Sequence, residues 1–282
     1  MTDPTRFFHT PQEITRLVAD AGVAKASTSL VKLFILGILA GAYIAFASEA
    51  SNMAAFNLLA DASTYGIGRC LAGAIFPGGL MLVVIAGGEL FTGNTMMLLP
   101  WASRRITLRG LLRNWCIVYL GNLVGSLLVT YLVYCSGQWN AGDHLLGGIT
   151  IKIAAAKCRF SFLEAFSLGI LCNWLVCLAV WMAAGAKDIS GKILAVFFPI
   201  WLFITSGFEH SVANMYYIPA GLLARANPNW LAAANLPPET LASLQWSNFF
   251  AANLLPVTLG NIVGGGVFVA LAYGCCFRGK TD

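Results

Sequence analysis

Charge is scarce in this chain. Aspartate, glutamate, lysine and arginine make up 10% of its 282 residues, against about 25% in soluble domains. Twelve acids and seventeen bases cannot cover a globule of this size, which excludes a water-soluble fold. The net charge of +5 comes without one dense basic patch, so nucleic acid is not an expected partner. Histidine is scarcer still, with only His9, His144 and His210. One intraspan histidine without a histidine partner makes a poor haem or metal ligand set. No metal, cofactor or enzymatic activity is therefore expected. None of the eight cysteines forms a Cys-x-x-Cys pair; most fall in apolar runs and read as small buried thiols. The first 29 residues lack the short apolar core and small-residue cleavage site of a signal peptide.

What is abundant is apolar sequence, at 58% of residues. Six segments reach the roughly 20 residues that a membrane span needs: 30–55, 65–100, 112–135, 161–184, 193–223 and 249–277. The chain divides into an N-terminal segment, 1–29, a six-span domain, 30–277, and a short tail, 278–282. Pro11 to Ser29 reads either as an amphipathic helix lying on the membrane surface or as a loosely ordered tail. An even number of spans puts both termini on one side. Twelve of the bases, including Arg104, Arg105, Arg109 and Arg113, fall on that side and five on the other. The excess of positive charge predicts cytoplasmic termini in a multi-pass protein of the cell (inner or plasma) membrane.

Two segments are too long. Residues 65–100 would run about 54 Å as one helix, against a hydrocarbon core of about 30 Å. Breakers inside them offer the explanation: "FPGGL" at 76–80 in the second segment, and Pro199 with Thr205-Ser206-Gly207 in the fifth. Broken backbone at membrane depth survives only where protein buries it or where it lines a cavity. The two halves also echo each other. Glu89 and Asn94 stand five apart, as do Glu209 and Asn214; "YLGNLVGS" in the third segment matches "TLGNIVGG" in the sixth; "LGILAG" in the first matches "LGILCN" in the fourth. A three-span unit repeated in one chain must insert upside down the second time. The expected fold is all-α, a six-helix inverted 3+3 repeat with interrupted second and fifth helices, the pattern of a midplane transport site. The small-residue spacings at Gly37/Gly41, Gly121/Gly125 and Gly260/Gly264 predict close helix contacts, within one bundle or between subunits.

His210 is the only histidine inside a span. Intramembrane ionisable groups face the interior or a pore, so a place on a substrate pathway competes with a plain structural hydrogen bond. If the helices break near 76–80 and near Gly207, two half-helices begin near the midplane, with their partly positive amino ends directed at one central region. His210 would stand on one and Thr92 on the other. Such a place attracts a small weak-acid anion, and His210 is expected to give it, or share with it, a proton. Glu89 and Glu209 would repel that anion if exposed, so they are expected to be paired or hydrogen-bonded, with Asn94 and Asn214 nearby. Lys157 draws anions inward or simply anchors the interface. Phe76, Leu80, Leu90, Phe91, Val176 and Phe203 are bulky apolar residues near the breaks, fit for constrictions or for core packing.

"GGELFTGN", "GFEHSVANM" and "NLLPVTLGNIVGGG" together resemble the formate/nitrite transporter family, over about residues 25–273. "CLAVWM" and "SGFEHSVANMYYIP" are most similar to the formate channels, whereas "GELFTGNTM" looks as much like the nitrite and hydrosulfide branches. The resemblance implies a homopentamer with an aquaporin-like protomer and one pore per subunit in the lipid bilayer. It implies small monovalent anions as cargo, formate first, with nitrite or hydrosulfide as alternatives. It places the central histidine at His210, its threonine partner at Thr92, a vestibule lysine at Lys157 and a pore asparagine at Asn173. The apolar gates fall on Phe76, Leu80, Phe91, Val176 and Phe203. "FPGGL" is richer in glycine and proline than formate channels usually show.

Overall fold

A computed structural model of the protein describes residues 7–277. The expected tail at 278–282, with Arg278 and Lys280, lies outside the described residues, as does Arg6. The described chain is helical, and six helices are long and apolar enough to cross a membrane: Leu30–Leu59, Tyr65–Gly87, Leu108–Ser136, Phe162–Gly185, Ile189–Ser206 and Trp246–Phe277. The protein is a multi-pass membrane protein. Leucines such as Leu120, Leu128 and Leu163 are exposed on these spans, as a lipid-facing surface requires.

Local chemistry sets the ends. Ser161 accepts from the Glu164 N–H while Glu164 bonds back to the Ser161 N–H, a reciprocal cap that starts the fourth span. Asp188 caps the fifth at Gly191 and Thr107 caps the third at Gly110. Within each half the backbones meet directly. A Cβ at Gly125 would sit 2.0 Å from the Ile38 carbonyl, and one at Gly260 would sit 2.2 Å from that of Phe166. The glycine spacings therefore serve contacts inside the bundle, first span on third and fourth on sixth.

Both overlong segments are interrupted. The fifth breaks at Gly207 (φ +78°), inside the expected Thr205-Ser206-Gly207, and a half-helix, Ser211–Ala224, follows. The second does not break at "FPGGL". Phe76 keeps helical angles and a new turn starts at Pro77. Proline suits a first helical position, where φ near −65° is needed and no N–H is missed. The helix continues through a wide π-type stretch, Leu82–Gly87, and stops where Gly87 takes φ +98°. Gly88 and Leu90 are extended, and the second half-helix covers residues 91–102. That correction moves the break about ten residues along the chain.

Two longer helices lie outside the spans, and two short ones, Pro228–Ala234 and Pro238–Ala242, precede the sixth. Leu145–Lys157 lies in what reads as the connection between the third and fourth spans. Pro11–Ser27 precedes the first span, capped by Thr10 and Glu13. Its Ile14, Val18 and Ala19 pack with Met96, Leu99, Trp181 and Val269. The cysteines divide: Cys158, Cys172 and Cys177 are buried, while Cys116, Cys135, Cys275 and Cys276 are exposed, contrary to the expectation of buried thiols. Burial pushes the Cys158 thiol up to about 11.

Candidate functional site: the two helix breaks and their pockets

Extended backbone in an apolar span has polar groups that need partners. One asparagine in each half supplies them. At the first break, Asn122 Oδ1 accepts from the Phe91 N–H at 2.9 Å, and its Nδ2 donates to the carbonyls of Gly37 (2.8 Å) and Glu89 (2.9 Å). At the second, Asn261 Oδ1 accepts from the Ser211 N–H at 2.9 Å, and its Nδ2 donates to Gly169 (2.8 Å) and Glu209 (3.0 Å). The Glu89 N–H reaches Leu36 O, and the Glu209 N–H reaches Leu168 O. The correspondence runs bond for bond.

It extends to the carboxylates. Lys25 Nζ lies 2.9 Å from Glu89 and 2.7 Å from Asn94 Oδ1. Asn94 Nδ2 donates to Glu89 (2.7 Å) and to Asn114 (2.8 Å). Lys157 Nζ lies 2.6 Å from Glu209, while Asn214 Nδ2 donates to Glu209 (2.6 Å) and to Asn253 (2.7 Å). Each glutamate thus has a lysine and an asparagine from its own half-helix, which removes the like-charge objection to an anion nearby. Sequence reasoning missed Lys25, Asn114, Asn122, Asn253 and Asn261. The Gly-Asn of the echoed "LGNLVG" and "LGNIVG" was the signal for two of them. Glu49 was also missed. It is buried in the first span, with Tyr216 Oη donating to it at 2.5 Å.

Between the breaks lies a contact from one half-helix to the other. Thr92 Oγ1 is 3.0 Å from His210 Nε2. His210 is the N-cap of its half-helix, and its Nδ1 accepts from the Ala213 N–H at 3.0 Å. An accepting Nδ1 carries no proton, so the neutral ring presents Nε2–H toward Thr92. Asn173 braces this junction, donating to the Thr92 carbonyl (3.1 Å), Thr95 Oγ1 (3.1 Å) and the Asn261 carbonyl (2.6 Å).

Two pockets flank the junction. One, of about 60 Å³, is lined by Arg69, Lys157, Glu209, His210 and Phe203, among others. The other, of about 400 Å³, is lined by Lys25, Glu89, Asn94, Leu80 and Leu90, among others. The rings of Phe76 and Phe203 meet edge to face at 5.5 Å, and Phe203 stacks 6.0 Å from the His210 ring. Phe76, Leu80, Leu90 and Phe203 are all buried. Val176 is buried but lines neither pocket. Phe91 turns its ring onto Trp115 and Tyr119, at 5.9 Å and 4.8 Å. Asn173 lines neither pocket. Among the described residues no group of three or more His, Cys, Asp or Glu is placed to hold a metal ion.

Chemically, the arrangement offers a proton-bearing imidazole and a hydroxyl at a buried junction, with a pocket that holds a lysine–glutamate pair on either side. Known proteins resemble this chain over most of its length. The sequence profile described as formate/nitrite transporter matches residues 12–275. The formate channel FocA of Escherichia coli K12 is 38% identical over 96% of this chain and 95% of its own. A probable formate transporter of Methanothermobacter thermautotrophicus is 41% identical over 94% and 96%. A solved pentameric formate channel with formate bound is similar at 39% identity and TM-score 0.81, covering 89% of this chain and 98% of that one.

Proposed function

The chain belongs to the formate/nitrite transporter family, and we propose that it forms a homopentameric membrane channel for small monovalent weak-acid anions, formate first. The observation that carries this reading is the 3.0 Å contact between Thr92 and His210, which joins two half-helices behind a collar of buried aromatic rings. The bond-for-bond match of the two breaks supports an inverted 3+3 repeat. Three crossings separate Lys25 from Lys157, so the matched lysines serve opposite faces. Nitrite or hydrosulfide is the alternative cargo, favoured by "GELFTGNTM" alone. The protein acts as a conduit and not as an enzyme, in the cell membrane with its termini cytoplasmic.

The energetics favour passage as the neutral acid. Stripping a carboxylate of water costs tens of kcal/mol in the idealised limit. Protonating an acid of pKa near 4 at pH 7 costs about 4 kcal/mol. In this mechanism Nε2–H of His210 and the Thr92 hydroxyl bind the anion. A second proton, taken from the aqueous phase on the side the anion enters, goes to Nδ1 and releases the cap on Ala213, an exchange worth about 1 kcal/mol. The charged ring then passes the Nε2 proton to the anion, which crosses the Phe76–Phe203 and Leu80–Leu90 collars as acid. Once the ring regains the Nε2–H tautomer, the cap re-forms.

The test is flux into proteoliposomes with formate, nitrite, acetate and hydrosulfide across a pH series. Formate flux that rises as pH falls, and that loses this dependence in His210→Phe, is expected. An unchanged pH profile in that variant overturns the proton step. A large preference for nitrite overturns the choice of cargo and leaves the rest intact.

A further inference from the structure

The two pockets differ in a way that the matched networks do not explain. The charged residues lining the larger one are Lys25 and Glu89, which are paired. Those lining the smaller one are Arg69, Lys157 and Glu209. Lys157 is committed to Glu209 at 2.6 Å, in a part-buried pair, with its ammonium 5.2 Å from the centre of the Tyr217 ring. An ammonium so close to a carboxylate presents little net field to an approaching anion. Arg69 is left. Among the described residues no carboxylate pairs with it.

Arg69 is also held in place. Its Nη2 donates to the carbonyl of Ile204, in the last turn before the fifth-helix break. That carbonyl is at the negative end of the helix and bears no net charge to cancel the guanidinium. The same nitrogen lies against the break itself, since a Cβ on Gly207 would be 3.4 Å from it. Glycine at 207 leaves the guanidinium room at the pocket wall, three residues ahead of His210. One of its five N–H groups is accounted for by Ile204, and the remainder suit an oxyanion.

We propose that Arg69, and not Lys157, is the cation that captures the anion in this pocket and presents it to His210. The inference rests on the anion-channel reading and adds a selectivity to it. A planar guanidinium matches the two oxygens of a carboxylate or of nitrite with paired donors; hydrosulfide has no such pair to offer. Arg69 thus favours bidentate oxyanions, and Lys157 serves to hold Glu209.

The experiment measures initial formate and hydrosulfide flux into proteoliposomes against concentration and ionic strength, for wild type, Arg69→Gln and Arg69→Lys. Folding is checked by gel filtration and circular dichroism. In Arg69→Gln the formate concentration for half-maximal flux rises roughly three- to tenfold, the range expected for one screened charge. Saturating flux stays within about twofold, and the salt dependence flattens. Arg69→Lys restores the salt dependence but leaves formate weakened relative to hydrosulfide. A folded Arg69→Gln protein with unchanged half-saturation and salt dependence overturns the inference, as does a fall in saturating flux alone, which marks a purely structural role. If Arg69→Gln fails to fold, Arg69→Lys decides: equal effects on formate and hydrosulfide overturn the inference. Wild-type vesicles that pass none of the anions overturn the channel reading and the inference with it.

Discussion

Replacing Asn261 by alanine removes the side chain that holds the second helix break together. Three backbone groups lose their partner at once: the Ser211 N–H and the carbonyls of Gly169 and Glu209. All three lie at a fully buried side chain, so water does not substitute for it. A buried polar group left unpaired costs about 1–3 kcal/mol. Three of them, partly relieved by relaxation, cost about 3–6 kcal/mol, enough to lower an unfolding midpoint by on the order of ten degrees. The structure also supplies an internal control. Asn122→Ala frees the same three groups at the other break: the Phe91 N–H and the carbonyls of Gly37 and Glu89. The two variants should lose comparable stability, within about 1–2 kcal/mol by the same count. Purified protein in detergent, followed by tryptophan fluorescence on heating and by flux after reconstitution, reads both effects. If one variant is silent and the other unfolds, the two asparagines do not do the same job, and the argument from matched hydrogen bonds fails.

Other consequences are as direct. Lys157→Gln strands a buried Glu209 and should destabilise by about 3–5 kcal/mol, whereas Lys157→Gln with Glu209→Gln recovers much of that; a double-mutant thermal series checks it. Thr92→Val keeps the volume but leaves the buried His210 Nε2 without its partner, so formate flux should fall severalfold, with a stability loss of about 1–3 kcal/mol. The Cys158 thiol, pushed up to about 11 by burial, stays protonated across pH 7–9; maleimide labelling there should be negligible and should not accelerate with pH over that range, in contrast to an exposed thiol. Tyr216→Phe deprives Glu49 of its donor at 2.5 Å and should cost about 1–3 kcal/mol, read as a lower melting midpoint.

The six spans were legible because twenty apolar residues in a row have few other uses. The breaks were legible as excess length, but only one in its place. "FPGGL" looks like a breaker, yet Pro77 occupies a turn start that tolerates it, and the reversal falls to Gly87, whose positive φ leaves no mark in a sequence that also reads Gly88. The helix Leu145–Lys157 escaped notice because it opens without a capping side chain, on His144 at φ +71°, and carries two glycines. At the site, Glu and Asn five apart could be read from the echo. Their lysines could not, since Lys25 and Glu89 are 64 positions apart and Lys157 and Glu209 are 52 apart. Asn173 was placed on the pathway, and its amide proved to brace the Thr92 carbonyl.

Asn122 and Asn261 grip main-chain atoms at every bond described for them at the breaks. The shape of the interrupted backbone therefore rests on these amides and not on the apolar side chains that line the pockets beside it. On the proposed channel reading, exchanging Leu80, Leu90 or Phe203 alters the collars and keeps the same scaffold, provided both amide hooks are left alone.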